Sequence, residues 1–259
     1  MNECMRDPFF QYPRTISTTS AGDVEMPILY FDCSNLMAMY FISPEKAAPF
    51  VAKGAYELVL IGGKALVVLA FYEYRKTSIA DYNEVGLAIA VKPRGAAASG
   101  FPLLKMLGPL DKNINGFQIV DLPVTTQAAC AAGRDIWSYP KFVTGIDFSL
   151  KGREFRGAVN NPDGAGAIVT LSGRLGMGVP APLLDLVLYS VHDGKTLRTL
   201  VNTRGGGILS LPGSLKVETA SSDHPMARNI VALGLDKQRP AFVSRTDRLQ
   251  LRLNCGAEI

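Results

Sequence analysis

The sequence is poor in the side chains most used for metal binding and acid–base relays: 259 residues carry two histidines, one tryptophan and four cysteines. Cys4, Cys33, Cys130 and Cys255 are widely spaced and form no CxxC pair. Neither a zinc ribbon nor a disulfide framework is expected, and reduced cytosolic thiols are the default. His192 abuts an Asp-Gly turn signal and His224 lies in a helix start, so both read as structural. A Ser-His-Asp triad and a His-based metal site are therefore not expected. No block of Lys and Arg exists either. The formal charge is +4 with the 27 basic residues scattered, which reads as ordinary solubility rather than nucleic-acid binding. Long apolar runs are missing too. The longest, LVLIGGKALVVLAFY, is broken by Gly62, Gly63 and Lys64 and falls short of the ~20 residues of a membrane helix. The first residues, MNECMRDPFFQYPR, lack an apolar core and a small-residue cleavage site, so no signal peptide is read there and a cytoplasmic location is expected. The glycine-rich stretches TRGGGILSL (Thr203–Leu211) and NNPDGAGA (Asn160–Ala167) have no P-loop lysine or GxGxxG spacing. They read as turns or bulges, and no cofactor is expected.

Hydrophobic residues make up 47% of the chain and charged residues 19%, enough apolar material for a substantial core. There is no repeat period and no long linker. KPRGAAASGFP (Lys92–Pro102) reads as a surface loop, and the chain as one domain over residues 1–259. Strand signals dominate. They are PILYFD (Pro27–Asp32), LMAMYFI (Leu36–Ile42), a pair turning at Gly62–Gly63, EVGLAIAV (Glu84–Val91), GFQIVDLPV (Gly116–Val124) and PAFVSRTDRLQLRLN near the end. DLVLYSVHDGKTLRTLVNTR is the clearest hairpin, because Asp193–Gly194 favours the positive backbone angles of a type I′ turn. Three helices are expected. SPEKAAPFVAK is capped by Ser43 with Pro44 at its first position. TTQAACAAGRDIW starts at Thr125 or Thr126 and carries Gly133 inside, at a cost of roughly 1 kcal/mol against Ala. SDHPMARNIVALG starts at Ser222 or Asp223 and stops at Gly234. Many strands with few helices predict a mainly antiparallel sheet, curled or closed to hide its edges.

GRDIWSYPKFVTGIDF (Gly133–Phe148) holds the single tryptophan and a lysine set among rings: Lys141 follows Trp137, Tyr139 and Pro140 and precedes Phe142. An apolar cage removes water and disfavours an ammonium. A neutral amine can attack a ketone and form an imine. The alternative is a lysine whose stem lies across Trp137 and Tyr139 while its head reaches water.

This stretch resembles the acetoacetate decarboxylase family, in which the lysine after Tyr/Phe-Pro, in a segment like GRE…YPK, forms a Schiff base. Here the matching residues are Gly133-Arg134-Asp135 and Tyr139-Pro140-Lys141. LPVTTQAACAAGRDIW is similar to the family helix leading into that lysine. YNEVGLAIAV is similar to the strand carrying a functional glutamate, which falls on Glu84. MPILYFD and HPMARNIVALGLDKQRP extend the likeness along the chain. The resemblance implies an α+β, mainly antiparallel fold: a cone-like β-barrel with flanking strands and a few helices, in a homo-oligomer. It also implies a small-molecule ketoacid substrate and no cofactor. Three family features differ. Phe142 stands where family decarboxylases have a second lysine. The second family acid falls on Leu69, with Glu73 the nearest substitute. The substrate-binding arginine falls on Cys33, with Arg14 the closest upstream candidate. The expected site thus has Lys141 and Glu84 as catalytic groups, with Trp137, Tyr139, Phe142, Leu69, Glu73 and Arg14 around the substrate. Three activities fit: β-ketoacid decarboxylation through a Lys141 imine, aldolase-dehydratase chemistry on pyruvate through the same imine, or small-molecule binding without catalysis.

Overall fold

Long strands with apolar side chains on both faces can only be buried on both sides, and the architecture follows from that demand. The computed structural model describes residues 6–96, 110–220 and 223–259. The strands are β1 (Thr15–Thr19), β2 (Gly22–Met26), β3 (Ile28–Ile42), β4 (Tyr56–Leu58), β5 (Leu60–Ile61) and β6 (Lys64–Thr77). They continue as β7 (Tyr82–Pro93), β8 (Gly116–Val124), β9 (Lys141–Val143), β10 (Ile146–Lys151), β11 (Glu154–Asn160) and β12 (Ala167–Arg174). The last are β13 (Gly178–Pro182), β14 (Leu186–His192), β15 (Lys195–Arg204), β16 (Gly206–Ser210), β17 (Lys216–Thr219) and β18 (Phe242–Glu258). The helices are α1 (Pro44–Ala47), α2 (Gln127–Trp137) and α3 (Pro225–Ala232).

Seven strands close into a barrel in the order β3-β6-β7-β8-β14-β15-β18, with β18 returning to β3. Closure removes the exposed edges that such long apolar strands would otherwise present. The expected barrel is therefore present. It is mixed rather than wholly antiparallel, since β8 and β14 run parallel through Leu188↔Phe117 and Tyr189↔Gln118. A four-stranded antiparallel sheet, β10-β11-β12-β17, covers part of the outside.

The two faces of each strand separate cleanly. On β6, Val67, Leu69 and Phe71 point outward into a core shared with Phe155, Val169 and Leu171 of the outer sheet and Ile230 of α3. Val68 and Ala70 point the other way, toward the lumen, with Ala88 of β7 and Phe117 of β8. Each fully buried Leu or Phe of the outer core contributes roughly 1.5–3 kcal/mol.

Local signals account for most boundaries. Asp193 at φ 49° and Gly194 at φ 77° form the β14–β15 turn, and Gly62 and Gly63 at φ 57° and 76° form the β5–β6 turn. Thr126 caps α2, its side chain accepting from the Ala129 N–H at 3.4 Å. Other boundaries differ. The two strands expected over 27–32 and 36–42 are one continuous strand, β3, with register shifts around Asp32. The helix expected from Ser43 is a four-residue turn followed by a 3-10 turn, Ala48–Phe50, and Ser43 makes no side-chain cap. Pro49, which has no N–H to continue the α ladder, limits it. His224 is the cap of α3, Nδ1 accepting from the Met226 N–H at 3.2 Å. Most of the loop expected over Lys92–Pro102 lies outside the described residues, and its first residues belong to β7.

Candidate active site

Lys141 is delivered by the abrupt end of α2. Ser138 adopts a left-handed conformation at φ 54°. Its N–H donates to Arg134 O at 2.9 Å, and that of Tyr139 to Gly133 O at 3.0 Å. Pro140 cannot prolong the helix, and the chain enters β9, paired in parallel with β8 at Leu122↔Lys141. Arg134 Nε donates back to Lys141 O at 2.7 Å, tying helix to strand. Gly133 has its explanation here, because a Cβ at that position would lie 2.3 Å from Lys141 Cε. The lysine stem runs where any other residue would put a side chain.

Strand alternation then sorts the neighbours. Lys141 points into the barrel and is buried, at 6% exposure. Its Nζ donates to Glu84 Oε2 at 2.7 Å. Glu84 Oε1 accepts from the Tyr74 hydroxyl at 3.2 Å, and the Tyr30 and Tyr82 hydroxyls share a hydrogen bond of 2.8 Å. The Lys141 amine lies 5.8 Å from the Tyr82 ring centroid. Trp137 stacks on Tyr139 with centroids 5.6 Å apart and planes 11° apart. Burial, followed by the Glu84 charge, pushes the Tyr30 and Tyr74 hydroxyls well above the usual phenol range. Burial and then Tyr30 do the same for Tyr82. All three rings therefore stay neutral beside Glu84, and Tyr74 is the one that donates to it. A buried ion pair is held against its desolvation cost only by close geometry and further hydrogen bonds, and Tyr74 supplies one.

The pair lies at one end of a cavity of about 540 Å³ that occupies the barrel lumen. Its walls include Met37, Met39, Val68, Ala88, Leu188 and Leu251. Lys141 and Glu84 are the only charged residues among its described lining. Glu84, Gly86 and Ala88 share one face of β7 and all line it.

The lumen thus brings together Lys141, Glu84, Trp137 and Tyr139, and leaves out four expected residues. Phe142, the next residue of β9, points to the opposite side and packs on the His224 ring at 4.8 Å. Leu69 is fully buried in the outer core, since its odd-numbered register on β6 faces away from the lumen. Glu73 also faces outward. It pairs with Arg75 at 2.7 Å and lines a separate surface groove of about 460 Å³. Arg14 precedes β1 and pairs with Glu25 at 2.5 Å, away from the cavity. Cys33 is buried, which pushes its thiol up, and it is not among the cavity-lining residues. The site residues missed by sequence reading are Tyr30, Tyr74 and Tyr82. A signal existed: Tyr82 precedes Glu84 by two residues on the same face, and the β6–β7 pairing sets Tyr74 opposite Tyr82. His192 meets Ser138 Oγ at 2.5 Å outside the lumen. Among the described residues no His/Cys/Asp/Glu cluster suited to a metal is present, and no helix is long and apolar enough to cross a membrane.

A family model described as acetoacetate decarboxylase matches residues 11–238. No curated protein matches the chain. The crystal structure of an acetoacetate decarboxylase from Legionella pneumophila is similar over 100% of this chain and 96% of its own, at 16% identity and a TM-score of 0.65. The enduracididine biosynthesis enzyme MppR, complexed with the condensation product of pyruvate and imidazole 4-carboxaldehyde, is similar at 13% identity and a TM-score of 0.61. That match covers 90% of this chain and 88% of the other. An acetoacetate decarboxylase-like enzyme from Sphingomonas wittichii is similar at 11% identity and a TM-score of 0.62, over 91% and 94% of the two chains. At these identities the structural likeness establishes the fold.

Proposed function

The chain belongs to the acetoacetate decarboxylase family, and from that premise we propose that it is an imine-forming carbon–carbon lyase, with Lys141 as nucleophile and Glu84 as its proton carrier. The observation that carries the reading is the buried 2.7 Å contact between the two, with no other charged residue among the described lining of the lumen. The amine gives a proton to Glu84 and attacks the substrate carbonyl. The carbonyl oxygen takes that proton and then a second one, shed by the attacking nitrogen and also carried by Glu84, and leaves as water, so that a protonated imine remains. In the first form of the reading the substrate is a β-ketoacid. The carboxyl C–C bond breaks, CO₂ departs, and its electron pair enters the imine to give an enamine. Protonation at carbon and hydrolysis then release the ketone and the free amine. Dry, apolar walls favour loss of a charged carboxylate as neutral CO₂.

The second form uses the same imine for aldol-type condensation. The size of the cavity favours it, because about 540 Å³ leaves room for an aldehyde beside the imine, and the protonated Tyr74 and Tyr82 hydroxyls can donate to a new alkoxide. Borohydride reduction in the presence of acetoacetate, or of pyruvate with an aromatic aldehyde, tests the shared step. A covalent adduct on Lys141 in the native protein and none in Lys141→Ala is expected. Full turnover by Lys141→Ala on a confirmed substrate would end the imine mechanism. CO₂ release from the first mixture against condensation product from the second separates the two forms.

A further inference from the structure

We propose that the lumen selects a carbonyl compound with an elongated apolar body, and that this body rather than a carboxylate provides recognition. The inference rests on the imine reading of Lys141 and specifies what reaches that amine.

Length is the first observation. Lumen-facing residues of β6 run from Tyr74, beside Glu84, to Leu66. That is eight residue steps, about 26 Å along the strand and roughly 20 Å along the axis of a barrel with tilted strands. The bore stays open midway because its walls there are Ala70, Gly86 and Ala88. Volume is the second. About 540 Å³ lies within the ~300–1,000 Å³ of clefts that hold drug-sized ligands, well beyond the need of a four-carbon acid. Charge is the third. The two charged groups of the described lining neutralise each other. A substrate carboxylate would find no arginine among the described lining and would lie near the Glu84 anion, whereas each added methylene finds apolar walls. Burying one should tighten binding about fourfold.

The test is borohydride trapping followed by intact-protein mass measurement. The amine displaces the ketone oxygen as water, and hydride then reduces the C=N bond to a stable secondary amine. The probes are 2-butanone, 2-nonanone, acetoacetate and pyruvate. The concentration of 2-nonanone giving half-maximal trapping should be at least ~100-fold below that of 2-butanone, given five added methylenes, and below that of either acid. Ala88→Phe, filling the bore midway, should weaken trapping of 2-nonanone at least ~10-fold and of 2-butanone far less. Acetoacetate or pyruvate trapping at concentrations equal to or below 2-nonanone would overturn the inference and leave the imine standing. A second arm uses 2-nonanol, which has no carbonyl, read by the fluorescence of Trp137, the chain's single tryptophan and part of the lining. Binding of 2-nonanol with no ketone trapped would remove the imine and keep the apolar ligand class. Binding of neither 2-nonanol nor 2-nonanone would overturn the inference whatever the acids do.

Discussion

The outer and inner faces of β6 and β7 are almost equally apolar, yet one is a filled core and the other a cavity wall. Outward, Val67, Leu69, Phe71, Leu87 and Ile89 are fully buried against the covering sheet and α3. Phe71 meets Phe155 with centroids 5.6 Å apart, so closely that a Cβ on Gly157 would sit 2.6 Å from the Phe71 ring. Inward, Val68, Ala70, Gly86 and Ala88 border about 540 Å³ of open lumen. Hydrophobicity does not distinguish the two faces. Side-chain size does, and so does charge, because Lys141 and Glu84 both face inward. The difference separates stability from chemistry: the outer face is where volume is filled, and the inner face is where it is left for a ligand.

The largest expected effect sharpens that division on one strand. Glu84→Gln should reduce turnover ~10²–10⁴-fold, the usual yield of a positioned proton carrier, and slow imine trapping with it, since the protons of imine formation pass through Glu84. Val85→Ala, one residue on but outward-facing, should lower stability and leave the turnover of the folded fraction unchanged. Equal turnover in Glu84→Gln and native protein, with a confirmed substrate, would break the assignment of chemistry to the inner face. Next comes a matched pair of leucines. Leu69→Ala should cost ~3–5 kcal/mol, because both transfer energy and a new cavity are lost. Leu66→Ala, facing the lumen, should cost about 2 kcal/mol, near the transfer term alone. Urea melts measure both, and equal losses would mean the lumen is packed as tightly as the outer core.

The same division explains what could be read from sequence. Turns such as Asp193–Gly194 are local demands on backbone angle, so they were legible, as were the bounds of β8. Lys141 and Glu84 were legible through residue context and family likeness, and the structure places them 2.7 Å apart. Period-2 reasoning needs one polar face to fix which side is which, and β6 offers none along its middle. Leu69, placed by the family likeness, and Glu73, its nearest acidic substitute, both lie on the outer face, which alternation along β6 could not have flagged, and Phe142 points away from its neighbour Lys141 because strand neighbours point oppositely. The family likeness sets the arginine position on Cys33 of β3, where register shifts around Asp32 disturb position-by-position matching, and Arg14 was only the nearest arginine upstream. The parallel β8–β14 joint is a pairing between distant segments that no local signal encodes.

Gly133→Ala probes the boundary between packing and chemistry from the helix side. Alanine favours a helix by ~1 kcal/mol over glycine, but the new methyl would lie 2.3 Å from Lys141 Cε. Overpacking of this kind costs ~1–3 kcal/mol, so net stability should change little. The lysine must shift, however, and lose its 2.7 Å contact with Glu84. Imine trapping should fall at least ~10-fold with a melting curve close to native, since each 1.4 kcal/mol of misplacement is a factor of ten. Native-like trapping in this variant would show that the lysine stem has free space to move.

A last readout lies on the outer side, at Asp121. This carboxyl on β8 is buried, accepts from Asn229 Nδ2 of α3 at 2.9 Å, and is pushed up to about 6, mainly by burial and against the hydrogen bond. A raised folded-state value means that the native protein holds this proton over a pH range in which the unfolded chain, at the ordinary value of 3.8, has released it. The stability from this group is complete below about pH 4 and is lost as pH rises through about 6, by at most ~3 kcal/mol. Asp121→Asn keeps a neutral acceptor for Asn229 and has no proton to lose. Its melting temperature relative to native protein should therefore rise between pH 4 and pH 7 by several degrees, at about 2–4 °C per kcal/mol for a chain of this size. A difference that stays flat across that range would mean that Asp121 carries its charge in the folded state without penalty, with water reaching the α3 contact.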